Sequence, residues 1–221
     1  MPPSDAFAVI FDFDGTILDS ETAEFESHRR FFAEHGVELT EEEWCTGIGI
    51  VLPPTHWWEW LCSRSAAPPD YARFREATRA YFNEHVRMEP MAGIGTLLSA
   101  LVAGNVPRAV ASAASSDWVT RALTALGLAA SFDAVVTRND VVRPKPAPDV
   151  YLEAARRLRT DPAHCVTLED SGPGLAAARA AGMRTVAIPH RLNRRTHDFD
   201  GADLFLSSAA ELTLERLRAL V

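Results

Sequence analysis

Short apolar runs alternate with helical stretches along most of this chain of 221 residues. The first run, residues 6–11, is continuously apolar, which is typical of a strand buried on both faces of a parallel sheet. Similar runs follow at residues 106–112, 134–137, 165–168, 185–189 and 203–206. Because the runs alternate with helices, the pattern favours an α/β fold with a doubly wound, Rossmann-like parallel sheet.

The helical stretches of this pattern cover residues 91–103, 117–126, 148–158, 174–181 and 209–220. Gly127 and Gly182 directly follow two of them, where a helix commonly ends in a left-handed residue. The segment 20–89 breaks the alternation, because it holds helical patches (21–35, 41–44, 54–61 and 71–86) and no clear strand. We therefore predict a catalytic core formed by residues 1–19 and 90–221, and an all-helical cap inserted at 20–89.

The net charge limits the kinds of molecule that the protein can bind, and the cysteine content limits the compartment in which it works. The formal net charge is −8, which disfavours binding to nucleic acid or to an anionic membrane. The first apolar run is too short to span a bilayer, and the three cysteines are too widely spaced for a disulfide framework. We expect a monomeric cytoplasmic protein that binds a small molecule.

Polar residues stand where several of the predicted strands end. Asp12 and Asp14 follow the first strand, Ser112 ends the second, and the pair Glu169-Asp170 ends a later one. Lys145 lies in a proline-rich loop just before a helix. Since ligands of α/β sheets bind beyond the carboxyl ends of the strands, these groups are expected to converge at one rim.

The residue types at this rim suit phosphoryl transfer. Clustered carboxylates repel one another, so they call for a hard cation, and Mg²⁺ prefers oxygen ligands. Phosphoryl transfer needs a nucleophile, charge neutralisation and an acid for the leaving oxygen, and a carboxylate can be the nucleophile. Gly15, next to Asp14, lets the backbone turn so that amides can approach the transferred group.

These motifs resemble the four motifs of the haloacid dehalogenase-like hydrolases, in the same order and across nearly the whole chain. They are Asp12-Phe13-Asp14-Gly15-Thr16, the strand ending in Ser112, the loop lysine Lys145, and Glu169-Asp170. The helical insert is similar to the cap of the subgroup that contains β-phosphoglucomutase and many sugar phosphatases.

The resemblance implies a magnesium-dependent phosphatase that acts on a small phosphorylated metabolite. It implies Asp12 as nucleophile and Asp14 as general acid and base. It also implies a phosphate-binding group and a magnesium site. The phosphate would be bound by Ser112, Ala113 and Lys145, and Mg²⁺ by Asp12, the carbonyl of Asp14, and Asp170 supported by Glu169.

Four alternative functions are weighed on this fold. A phosphosugar mutase would carry a histidine where Glu24 stands and an arginine where Ile50 stands, and the cap has no lysine. The missing cap lysine also argues against carbon–phosphorus cleavage through a Schiff base, and Asp14 argues against dehalogenation. A non-catalytic regulator is disfavoured by the complete set of motif residues.

Other features give smaller predictions. Lys145 is the single lysine among 22 basic residues, so we expect it, at an exposed rim, to do what arginine cannot. The cluster Trp57, Trp58 and Trp60 is read as cap core, and residues 47–49 as a cap loop over the site. Residues 190–200 are read as a solvated loop.

Overall fold

The computed structural model describes residues 7–221, which form a six-stranded parallel sheet in the order β3-β2-β1-β4-β5-β6. The strands are β1 (Ala8–Phe11), β2 (Arg108–Ala111), β3 (Ala134–Val136), β4 (Cys165–Glu169), β5 (Arg184–Ala187) and β6 (Leu204–Phe205). Successive strands extend from β1 to one side and then from β4 to the other. This is the doubly wound order, so the predicted fold class is confirmed. Residue 6 of the first predicted strand lies outside the described residues.

Helices cover both faces of the sheet and fill the predicted insert. In chain order they are α1 (Glu21–Glu34), α2 (Glu41–Cys45), α3 (His56–Cys62), α4 (Tyr71–His85), α5 (Ile94–Ala103), α6 (Ser116–Ala125), α7 (Asp149–Leu158), α8 (Gly172–Ala180) and α9 (Leu214–Arg218). None of the helices among residues 7–221 is long and apolar enough to cross a membrane.

The central strand β1 is apolar at every position because both of its faces are covered. Val9 and Phe11 belong to a core cluster with residues of α5, α6 and α9. Ala8 and Ile10 belong to a second cluster with residues of α7 and α8. Each large side chain buried in this way stabilises the fold by roughly 1.5–3 kcal/mol.

The prediction of one continuous helix at residues 209–220 is wrong, because this stretch is divided into two short elements. A short 3₁₀ turn, Ala209–Glu211, is followed by a break and then by α9. The break has a local cause: the side chain of Thr213 accepts a hydrogen bond from the backbone of Arg216 and begins α9 anew. By contrast, Gly127 and Gly182 take the predicted left-handed conformation, with φ of 68° and 80°.

The helices α1–α4 all fall inside the predicted insert, between β1 and α5. The two chain segments that enter and leave this insert run side by side, since Leu18 and Pro90 form an antiparallel bridge. Next to it, the backbone N–H of Met91 donates to the carbonyl of Ile17 at 2.8 Å. The paired entry and exit are typical of an inserted cap, and the division at residues 20–89 stays a prediction.

Candidate active site

The strands β1 and β4 are neighbours at the point where the strand order reverses. Their register pairs Phe11 with Leu168, so the residues that follow, Asp12 and Glu169, lie side by side at the carboxyl edge. The ammonium group of Lys145 reaches both, with Nζ 2.5 Å from Asp12 Oδ1 and 2.6 Å from Glu169 Oε1. The three residues therefore form one buried ionic cluster at the switch point of the sheet.

Glu169 is fully buried, and protein donors satisfy its carboxylate. Oε1 accepts from Lys145 and from the hydroxyl of Tyr151, while Oε2 accepts from the backbone N–H and the hydroxyl of Ser171. A Cβ at Gly174 of α8 would collide with the same carboxylate, which explains a glycine there. Glu169 is thus held in place and has little freedom to reorient.

Asp12, Glu169 and Asp170 form a group of three buried carboxylates, and one oxygen from each lies within 4.8 Å of the other two. Burial raises the pKa of Asp12 to about 8, although the charge of Lys145 opposes this. Burial, followed by the charges of the other two carboxylates, also raises the pKa of Asp170. Three carboxylates against one ammonium leave excess negative charge, so a divalent, oxygen-preferring cation fits this donor set.

The turn after β1 depends on Gly15. Its φ is +81°, a conformation that favours glycine, and a Cβ there would collide with the carboxylate of Asp170. The turn therefore packs directly against the carboxylate cluster. The next residue, Thr16, is 4 % exposed, and its hydroxyl has no hydrogen-bond partner among residues 7–221.

Asp14 is held apart from the carboxylate cluster. Its Oδ1 accepts from the hydroxyl of Ser20 at 2.6 Å and from the indole N–H of Trp118 at 2.9 Å. Burial raises its pKa, although these two hydrogen bonds oppose the rise. A raised pKa favours the protonated carboxyl group that an acid catalyst needs.

The predicted phosphate-binding residues meet at the same edge. Ser112 follows β2 and is buried, and Ala113 lies beside it at the wall of the cavity. Lys145 is also buried, with 3 % of its surface exposed, so its expected place at an exposed rim is wrong. Its ammonium stays charged because, although burial opposes it, the adjacent Asp12 and Glu169 raise its pKa.

A cavity of about 540 Å³ opens above these groups, between the sheet edge and the insert. Asp12, Asp14 and Lys145 line its core side. Residues 47–49 line its insert side, as predicted for a cap loop. The insert also contributes Glu24, whose pKa rises to about 7 through burial and the charge of Asp14.

Cations do reach the cavity from the insert. Arg75 and Arg79, one turn apart on α4, line it opposite the sheet. The mutase pattern concerns residues 24 and 50 and does not point to these arginines, because α4 lies far from both positions along the chain. The lack of a lysine in the insert therefore does not leave that side of the cavity without cations.

The tryptophans of the insert pack as predicted, with one addition. Trp57, Trp58 and Trp60 all pack against the buried aromatic cluster of α1–α4. Trp57 stacks on Trp44, with ring centroids 4.8 Å apart, and this pair also lines the cavity. The cap-core prediction is confirmed, and Trp57 has a second surface that faces the site.

Several residues of the site were missed by sequence reasoning. Ser20 and Trp118 hold Asp14, and Tyr151 holds Glu169, yet each stands in a helical or linking segment without a motif of its own. Asn193 donates to Asp170 from within residues 190–200. The prediction of a solvated loop is wrong there, because His190, Leu192 and Asn193 are buried.

Comparisons with known proteins agree with this geometry. Residues 9–188 match the sequence profile of the haloacid dehalogenase-like hydrolases. The chain belongs to this family. The family prediction made from the four motifs is thereby confirmed.

Individual relatives span nearly the whole chain. The provisionally named phosphatase YhcW of Bacillus subtilis is 34% identical over 95% of this chain and 95% of its own. Fructose-1-phosphate phosphatase YqaB of Escherichia coli is 34% identical over 81% of this chain and 95% of its own. The crystal structure of CbbY from Rhodobacter sphaeroides with xylulose-1,5-bisphosphate has a TM-score of 0.78 at 28% identity, and covers 96% of this chain and 99% of that one.

Proposed function

We propose that this hydrolase is a magnesium-dependent phosphatase that removes phosphate from a small phosphorylated metabolite of the phosphosugar type. The observation that carries the proposal is the convergence of Asp12, Asp14 and Lys145 on one cavity at the switch point of the sheet. The names of the relatives, which include a fructose-1-phosphate phosphatase, support the substrate class. The expectations of a monomer and of a cytoplasmic location are kept as part of the proposal.

In the first half of the reaction, a carboxylate oxygen of Asp12 attacks phosphorus and the bond to the leaving oxygen breaks. Asp14 gives its proton to that oxygen, so the product leaves as a neutral alcohol. Lys145 and Ser112 bind the phosphoryl oxygens. The product of this half is an aspartyl-phosphate on Asp12.

In the second half, the now ionised Asp14 takes a proton from water. The resulting oxygen nucleophile attacks phosphorus, the acyl-phosphate bond breaks, and inorganic phosphate leaves. Asp12 returns as a carboxylate and Asp14 as a carboxyl group, so the proton balance closes over one turnover.

Asp12, the backbone carbonyl of Asp14, and Asp170 would hold Mg²⁺, with Glu169 as their support. The hydrogen bonds that Glu169 already accepts from Lys145, Tyr151 and Ser171 support this division of roles. When bound, Mg²⁺ neutralises charge on the phosphoryl group and on the clustered carboxylates.

The experiment that tests the function is phosphate release from a panel of sugar, polyol and small acid phosphates, with Mg²⁺ or with excess chelator. We expect release that requires Mg²⁺ and that favours one group of sugar or polyol phosphates. The proposal would be overturned by a protein that binds Mg²⁺ yet releases no phosphate from any member of the panel, or by full activity in chelator.

Water, and not a sugar hydroxyl, is expected to accept the phosphoryl group. The carboxylate of Glu24 faces the cavity close to Asp14, where the mutase pattern has a histidine. Incubation with β-glucose 1-phosphate and a glucose bisphosphate should therefore yield inorganic phosphate or leave the substrate unchanged, as followed by ³¹P NMR. Efficient formation of glucose 6-phosphate would establish a mutase instead.

Lys145→Arg should lower kcat/KM by at least about 10²-fold, or about 2.7 kcal/mol of transition-state stabilisation. The ammonium fits between Asp12 and Glu169 and lies 4.8 Å from the ring centre of Tyr151, whereas a guanidinium is wider and planar. Because the site is buried, we also expect a loss of about 1–3 kcal/mol in the free energy of unfolding. Steady-state kinetics and urea denaturation measure the two effects.

The same loop offers a matched control for this exchange. Arg143 is exposed and pairs with Asp149 at 2.7 Å, so Arg143→Lys swaps the same two cations at the surface. It should leave kinetics and stability close to wild type. Near-wild-type kinetics for Lys145→Arg would show that position 145 supplies only charge.

A further inference from the structure

Asn193 contacts the carboxylate cluster from a segment outside the four motifs. Its side-chain Nδ2 lies 3.2 Å from Asp170 Oδ2, and the residue is fully buried. This is the one side-chain hydrogen bond that the carboxylate of Asp170 receives from residues 7–221. The turn at Gly15 packs against the same carboxylate, so Asp170 is held between the turn and Asn193.

The second polar atom of Asn193 is unsatisfied. Its Oδ1 is buried and has no hydrogen-bond partner among residues 7–221. Burying a polar atom without a partner is unfavourable, so a leucine of similar size would cost less here unless the amide makes a contact that the protein needs. The hydrogen bond to Asp170 is such a contact.

The segment that carries Asn193, residues 190–197, is anchored in the insert. Leu192 is buried within the aromatic cluster of α1–α4, and its carbonyl accepts a hydrogen bond from the thiol of Cys45 at 3.0 Å. His197 lies between the insert and the core: Nε2 is 2.8 Å from the carbonyl of Cys45, and Nδ1 accepts from the backbone of Gly172 at 3.1 Å. A neutral ring protonated on Nε2 satisfies both contacts.

The 190–197 segment thus joins Cys45 of the insert to Asp170 and Gly172 of the core. We propose that Asn193 is a positioning residue that fixes the orientation of Asp170, and that the contacts of its segment with the insert hold Asn193 in place. Cation affinity at the carboxylate cluster then depends on how the segment sits on the insert. This inference rests on the proposed function for the cation itself.

The physical reason is the role of groups that orient a metal ligand. A carboxylate held by a hydrogen bond presents its free oxygen in one direction, and loss of such a partner typically costs about 10–100-fold in metal affinity or activity. Asn193 does not face the cavity, so its loss should act through Asp170 and leave the other substrate contacts intact.

The test is calorimetric titration of Mg²⁺ into the whole protein and into Asn193→Leu. We expect the Kd for Mg²⁺ to rise by about 10–100-fold. Because the variant acts through the metal, saturating Mg²⁺ should restore most of kcat. The neighbouring Arg194→Ala is the matched control, since Arg194 is exposed, and its Kd should equal that of the wild type.

A merely structural role would give a different result. The melting temperature of the metal-free variant would fall while the Kd for Mg²⁺ stayed unchanged, and this outcome would overturn the proposal. If Asn193→Leu does not fold, Asn193→Ala is titrated instead, with the same expectation. A wild type that binds no Mg²⁺ would overturn the proposed function, whereas equal binding by wild type and variant overturns only the role of Asn193.

A second variant tests whether Mg²⁺ affinity depends on the contact with the insert. Leu192→Ala removes the anchoring side chain from the aromatic cluster and leaves Asn193 in the sequence. We expect Mg²⁺ to bind about 5-fold or more weakly, the lower range of a coupling free energy between sites. Wild-type affinity in folded Leu192→Ala would overturn the coupling to the insert.

Discussion

Asp12→Asn should lower turnover on the order of 10⁴-fold or more, the largest effect expected of any single substitution in this chain. A neutral amide neither attacks phosphorus nor balances the charge of a cation. The substitution keeps the size of the side chain, so the geometry at the end of β1 should persist. Phosphate release under single-turnover conditions, with the protein in excess, measures the loss.

The folded state should survive Asp12→Asn. The substitution removes one of three buried carboxylates that repel one another in the metal-free protein, and Lys145 keeps its contact with Glu169. We therefore expect the metal-free melting temperature to stay the same or to rise. Loss of activity together with an intact melting curve would separate a chemical role of Asp12 from a structural one.

Asp161→Asn is the matched control for this experiment. Asp161 lies before β4, at the opposite edge of the sheet, and its side chain caps a short 3₁₀ turn by accepting from the backbone of Ala163. Asparagine caps equally well, so activity should be unchanged. Turnover near wild type for Asp12→Asn would refute the nucleophile, as would failure to trap phosphate on the wild-type protein by acid quench and mass spectrometry.

The sequence predicts the fold because buried strands and the helices between them leave different apolar patterns. Runs that are apolar at every position occur where strands are covered on both faces, and β1 shows this most clearly. An apolar pattern alone does not show helix boundaries where capping side chains interrupt it. The break before α9 is such a case, since Thr213 begins a helix that the apolar pattern alone would run through.

The sequence predicts the site residues that stand at strand ends, and it does not predict those that come from other segments. Asp12 and Ser112 directly follow strands and Glu169 ends one, so the topology alone brings them together. Trp118 reaches Asp14 across 104 residues of sequence, and Asn193 reaches Asp170 from a segment with a polar composition. Such contacts depend on side-chain directions in three dimensions, which no local pattern encodes.

The prediction of an exposed Lys145 is wrong for a related reason. A charged residue in a proline-rich loop suggests an exposed position, because charged residues are almost never fully buried unless they are paired. Here Asp12 and Glu169 provide the pairing, and both are distant in the sequence. Lys145 is therefore buried because it is paired with two carboxylates, whatever the composition of its loop.

Asp14→Asn should lower kcat by about 10²–10⁴-fold, the usual contribution of a general acid or base. The amide oxygen can still accept from Ser20 and Trp118, so the side chain should keep its place and lose only its ability to exchange a proton. Its side chain is not one of the three clustered carboxylates, so the Kd for Mg²⁺ should be unchanged. Steady-state kinetics and calorimetric titration measure the two quantities.

A substrate whose leaving group needs little protonation separates the two halves of the reaction. An aryl phosphate such as 4-nitrophenyl phosphate expels a phenolate that needs little protonation, so Asp14→Asn should still transfer phosphate to Asp12. Without a base for water, the aspartyl-phosphate should then persist, and stopped-flow absorbance should show a burst of nitrophenol close to one equivalent. Asp70→Asn, which keeps the N-terminal cap of α4, should behave as wild type. Equal losses for alkyl and aryl phosphates without a burst would assign Asp14 a role other than proton transfer, and weakened Mg²⁺ binding would place its side chain among the metal ligands.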